Sequence, residues 1–99
     1  LPISYSGIQE TYAINHPHIA SLYPNPSVDH ITVEFNMSAN SSVTMEITDV
    51  QGKLIRTWKE NLSSGNSTHD YDVNALAAGE YLLTMKGEHL SESVRFSVK

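Results

Sequence analysis

Five histidines, eleven carboxylates and many serines are the side chains of this chain that could do chemistry, and their spacing decides which chemistry is open to them. His16-Pro17-His18 comes nearest to a metal-ligand pattern. The proline between the imidazoles restricts their convergence, however, and no cysteine or nearby carboxylate cluster completes a set of ligands. His30, His69 and His89 are isolated and read as outward-facing strand or loop residues. No serine sits in a Gly-Xaa-Ser-Xaa-Gly elbow, and Ser63, Ser64 and Ser67 lie in a polar turn, so hydrolase chemistry has no warrant. There is no phosphate-cradling glycine loop, and Asp49 has no second carboxylate at a spacing suited to acid/base work. The chain is therefore expected to have no enzyme activity, no metal and no cofactor. Four Asn-Xaa-Ser/Thr sequons do stand out, at Asn36, Asn40, Asn61 and Asn66. All four are expected in turns, where glycosylation would suit them, but turn chemistry favours Asn, Ser and Thr by itself.

Composition narrows the partners. Ninety-nine residues make one domain, because a second core would have too little chain. The formal charge is −5, with six Lys plus Arg scattered along the chain, so no basic stripe is available to a phosphate backbone and nucleic acid is excluded as a partner. With no cysteine the domain is stable by packing alone. No apolar run approaches the roughly 18 residues that span a bilayer, and the first twenty residues lack the basic start and apolar stretch of a signal peptide. The chain reads as a terminal module of something longer.

From Val28 onward apolar residues alternate, the pattern of strands with one face on a core. Ile31, Val33 and Phe35 share a face; so do Val43, Met45 and Ile47. The alternation returns in Leu54, Arg56 and Trp58, in Tyr71 and Val73, in Tyr81, Leu83 and Met85, and in Val94, Phe96 and Val98. Clusters of Asn, Ser, Gly and Asp separate these runs, over residues 36–42, 49–53, 61–67, 74–79 and 86–92. With a short first strand over Ile19 to Tyr23, about seven strands result, and this regular spacing predicts an all-β, immunoglobulin-like antiparallel sandwich. The expected core is Ile31, Val33, Phe35, Val43, Met45, Ile47, Tyr81, Leu83, Val94 and Phe96. Residues 1–18 break the rhythm and read as a connector from an upstream domain, apolar enough at Ile3, Tyr5, Ile8, Tyr12 and Ile14 to dock on an edge. Residues 19–99 form the domain itself.

Three local motifs carry more information than the alternation. In Tyr23-Pro24-Asn25-Pro26, two prolines remove two donors and end a strand at a sheet edge, while the Asn25 side chain can close a turn. Asp49-Val50-Gln51-Gly52-Lys53 reads as a type I turn followed by a left-handed Gly52, with Asp49 bonding the turn's own amides. Leu76-Ala77-Ala78-Gly79-Glu80-Tyr81 resembles the approach to a tyrosine corner, where a buried ring anchors a sandwich and its hydroxyl bonds upstream main chain. A last alternating strand, Val94-Arg95-Phe96-Ser97-Val98-Lys99, closes the chain.

In this order and separation the motifs resemble the C-terminal sorting domain of the type IX secretion system, over about Ile19 to Lys99. The resemblance takes in Tyr23, Pro24, Asn25, Pro26, Asp49, Gly52 and Lys53. It implies a folded secretion signal that directs cargo across the outer membrane of Bacteroidetes-type bacteria and passes through the periplasm on the way to the cell surface or the medium. The implied partners are the translocon, its outer-membrane shuttle barrel, an upstream cargo domain in the same chain, and a sortase that usually removes the domain. Carried onto this sequence, translocon recognition would lie in Gly79, Tyr81, Val94, Arg95, Phe96, Val98 and Lys99. The last strand is expected to offer an open edge that a partner reads by adding a strand or clamping the tail. Homodimer contacts through edge strands or the connector are also expected. The alternative is an extracellular immunoglobulin- or fibronectin-like adhesion or carbohydrate-binding module, which leaves the ordered motif set unexplained.

Overall fold

Burial with a period of two turns each alternating run into a strand, and the computed structural model, which describes residues 18–99, contains seven of them among the described residues. They are β1 (Ile19–Tyr23), β2 (His30–Met37), β3 (Ser41–Asp49), β4 (Leu54–Leu62), β5 (Gly65–Asp72), β6 (Gly79–Lys86) and β7 (Ser91–Val98). In β2 Ile31, Val33, Phe35 and Met37 are buried while His30 and Asn36 are exposed, because successive side chains of a strand point to opposite faces. The strands form two antiparallel sheets, β1-β2-β5 and β4-β3-β6-β7. Hairpins β3–β4 and β6–β7 stay within the larger sheet, whereas the links from β2 to β3, β4 to β5 and β5 to β6 change sheet. Each apolar face is thereby covered by the other, the solution that keeps both out of water.

Nine of the ten expected core residues are buried; Val94 is half-buried and packs against the core from β7. Met37, Leu62, Val73, Met85 and Val98 complete the core. Phe35 and Phe96 are its largest fully buried side chains, at 1% and 0% exposure.

Three local expectations are corrected. The strands run further than the alternation suggests, so Asn36, Asn61 and Asn66 stand in β2, β4 and β5, and Asn40 alone of the four sequon residues lies in a turn. Asn36 and Asn66 are register partners in the β2–β5 ladder. His69 does not face outward: it is half-buried on the inner face of β5, with its ring edge-on to Phe35 at 5.6 Å and stacked on Tyr71. In β4 the register slips opposite Thr48, an extra residue that leaves both Leu54 and Ile55 exposed and ends the expected alternation there.

A two-sheet sandwich has two open sides, and side chains close both. On the side of β4 and β5, Tyr71 Oη donates to Glu60 Oε1 at 2.8 Å, Trp58 Nε1 donates to the same oxygen at 3.4 Å, and the Trp58 and Tyr71 rings meet at 5.0 Å. Burial, and then the Glu60 carboxylate, push the Tyr71 phenol well above its ordinary range. The Arg56 guanidinium bonds the Asp72 carbonyl across the same seam. On the side of β1 and β7 the Glu92 carboxylate pairs with the His18 imidazole and accepts from the backbone amides of His18 at 3.3 Å and Ile19 at 3.0 Å. The rest of the expected connector lies outside the described residues.

Candidate recognition site

The three sequence motifs, far apart along the chain, meet at one end of the sandwich. Antiparallel register brings them there: Asp49 stands opposite Tyr81, Tyr81 opposite Phe96, and Gly79 opposite Val98. The segment after β1 crosses from the smaller sheet to the same corner.

Asp49 holds the β3–β4 hairpin by accepting at Oδ1 from the amides of Gln51 and Lys53, both at 2.9 Å, while its carbonyl accepts from Gly52 N at 3.0 Å. Gly52 has φ +84°, where a side chain is strained, so the glycine is what lets the turn close onto Asp49. The Asp49 carboxylate is thus spent on the turn. The corner is built as the sequence suggests: Tyr81 Oη donates to the Ala77 carbonyl at 2.6 Å, and its ring lies against Phe96 at 5.7 Å with an interplanar angle of 26°. Gly79 opens β6 at φ +155°.

The proline motif does more than end a strand. Tyr23 is 44% exposed, and its hydroxyl donates to Glu34 Oε2 at 3.0 Å, a bond that holds the phenol above its ordinary range. Both X–Pro peptide bonds of the motif are cis. Beyond them Asn25 Oδ1 accepts from Ser97 N at 3.0 Å and Ser97 Oγ at 3.1 Å. Ser27 forms an isolated parallel bridge to Val98, in which Ser27 N donates to the Ser97 carbonyl and Lys99 N to the Ser27 carbonyl, both at 2.8 Å. Ser27 Oγ donates to the same Ser97 carbonyl at 2.8 Å, and Ser27 is fully buried. The expectation of an open last edge is therefore corrected over Ser97 to Lys99: residues 25–27 occupy it.

The seven residues of the expected recognition set divide by burial. Tyr81, Phe96 and Val98 belong to the core, and Val94 is half-buried; Gly79, Arg95 and Lys99 face solvent. A shallow recess beside them is lined by Val50, Gly52, Glu80, Leu82 and Arg95, so the hairpin and the last two strands share one surface. The charges are divided too. All six Lys and Arg lie on the larger sheet or its flanks, while the strands of the smaller sheet carry Glu34, Asp70 and Asp72 and no Lys or Arg. Lys53, Arg95 and Lys99 sit at the motif end.

His30 bonds its neighbour Asp29 at 2.8 Å in solvent, which draws the Asp29 carboxyl below its usual range. Among the described residues no group of three His, Cys, Asp or Glu side chains could hold a metal ion. Sequence reasoning missed Ser27, whose burial beside the exposed Val28 inverts hydropathy; the signal was the donor-poor proline pair just before it, which must leave the strand it ends. A search of curated proteins returns no match. Residues 21–99 match the family model described as secretion system C-terminal sorting domain.

Proposed function

This chain belongs to the family of secretion system C-terminal sorting domains, and from that premise we propose that the folded sandwich is recognised through the exposed side chains at its motif end. The domain is a sorting signal for type IX secretion, which implies export across the outer membrane toward the cell surface or the exterior. Such a family is not an enzyme family, and recognition needs no catalytic group. Arg95 and Lys99, with Gly79 beside them, are the side of the recognition set that a partner meets. Tyr81, Phe96 and Val98 act indirectly, by holding β6 and β7 in the sandwich. The observation that carries this reading is the division by burial: in the folded domain the aromatic members of the set are out of reach.

The partners in this reading are the type IX translocon and its outer-membrane shuttle barrel, an upstream cargo domain, and a sortase that separates the two. The first test is Arg95→Glu with Lys99→Glu. Both side chains are exposed, and surface changes of this kind usually move stability by less than about 0.5 kcal/mol. The folded double variant is expected to export its cargo poorly. Export at the level of the unchanged domain removes the charged face from the signal.

A further inference from the structure

Backbone groups at the end of β7 are satisfied by a piece of chain poorly suited to hold them. The segment offers one bridge, at Ser27, against a strand of eight residues. Pro24 and Pro26 have no N–H, so neither can extend the pairing, and Asn25 contributes through its side chain. Everything it gives to β7 comes from Asn25 Oδ1 and the N, O and Oγ of Ser27. An extended peptide with an uninterrupted run of N–H and C=O groups would satisfy the same Ser97 and Lys99 groups and could continue along the strand. The parallel Ser27–Val98 bridge shows that the outward main-chain groups of Ser97 and Lys99 pair with a neighbouring backbone.

We infer that residues 24–27 are a displaceable strap over a strand-addition site on β7, and that its occupant on recognition is an extended segment of the receiving secretion protein. The inference rests on the sorting reading and deepens it. The strap keeps the Ser97 to Lys99 end of the edge paired while the domain is free, which shortens the open main chain that edge-to-edge association would use. Lifting it exposes main chain at the corner where Arg95 and Lys99 stand, so the charged side chains and the ladder are read together. The strap is anchored outside the core ladders, so it can open without the sandwich unfolding.

Two measurements test this. Hydrogen exchange on the intact 99-residue chain should find the Ser97 and Lys99 amides protected at least about tenfold less than those of Leu83 and Phe96, with Asn25→Ala lowering protection at Ser97 alone. Exchange of Ser97 and Lys99 only at the rate of the core amides overturns the inference, because the strap would then open only by global unfolding. The second measurement locks the strap. The chain has no cysteine, and the Asn25 and Ser97 side chains touch, so Asn25→Cys with Ser97→Cys gives a defined pair. In a bacterium with this secretion system, cargo carrying the oxidised pair should stay in the periplasm and be released on mild reduction. Export of the oxidised form at the rate of the unchanged domain overturns the strap while leaving the sorting reading intact; export after deletion of residues 94–99 defeats the sorting reading itself. Should the double variant fail to fold, the exchange experiment decides alone. A dimer that appears in Asn25→Ala, with the strap of one copy on β7 of another, would assign the edge to self-association and overturn the proposed occupant.

Discussion

Phe96→Ala is the substitution that most directly weighs the packing of β7. The ring is fully buried and lies against Tyr81 at 5.7 Å, in a core drawn from both sheets. Removing it loses the transfer free energy of the ring and leaves a cavity that neighbouring strands fill only in part, a loss of about 3 to 5 kcal/mol. Against the roughly 5 to 15 kcal/mol available to a small domain, that is a large share of total stability. At about 4 to 8 °C per kcal/mol for a domain of this size, the midpoint should fall by about 12 °C or more. Urea unfolding followed by fluorescence of Trp58, the single tryptophan, measures it, with far-UV circular dichroism as the second probe. A loss below about 1 kcal/mol with an unchanged urea slope refutes the packing argument. The same result bears on export: removing Phe96 and Val98 by truncation damages the core as well as the signal, whereas the Arg95 and Lys99 substitutions leave the core alone.

Tyr81→Phe keeps the ring and deletes the bond to Ala77, so it should cost about 1 to 2 kcal/mol in the same unfolding assay, and no loss would remove the corner hydroxyl from the account. Asp49→Ala and Gly52→Ala should each destabilise by about 1 kcal/mol, the first by freeing two turn amides and the second by forcing a side chain into φ +84°; a neutral result at either contradicts the turn geometry. The Tyr71 phenol is pushed up by burial and by Glu60, so it stays protonated in the folded domain at a pH where the unfolded chain ionises near the ordinary value of 10.0. Stability is then whole below about pH 10 and falls as pH rises above it, and Glu60→Gln should weaken that dependence; an ordinary spectrophotometric titration of Tyr71 contradicts the cluster. Ser67 Oγ is buried without a hydrogen-bond partner, so Ser67→Ala should be neutral or stabilising by up to about 1 kcal/mol, and a clear loss would mean that a partner exists.

Alternation made the sandwich legible because most inward positions are apolar: Ile31, Val33 and Phe35 in β2 and Val43, Met45 and Ile47 in β3 need no other signal. It failed in β5, where Ser67, His69 and Tyr71 face inward and hydropathy does not mark the first two. Stepping backward by twos from Tyr71 would have placed His69 inside. Strand ends were shortened by residue type, since Asn and Ser favour turns yet pair equally well once a ladder reaches them, as Asn36 does with Asn66. The site was half legible. Its motifs and their order could be read, and so could the local roles of Asp49, Gly52 and Tyr81, because those bonds span a few residues. The strap could not be read, because the bonds from Asn25 and Ser27 to Ser97 span about seventy residues and depend on which sheet edges adjoin. Alternation did place Tyr81 and Phe96 in the core, so the burial of those two members of the recognition set was legible in the sequence.

The account's central claim is that this folded domain is itself the export signal, and fractionation of a reporter tests it most directly. A reporter with an inner-membrane signal peptide is fused ahead of the 99-residue chain and produced in a bacterium with the type IX system. The intact fusion is predicted to reach the cell surface or the medium, while the fusion lacking residues 94–99 stays in the periplasm. Retention of the intact fusion, or normal export of the truncated one, would contradict the account.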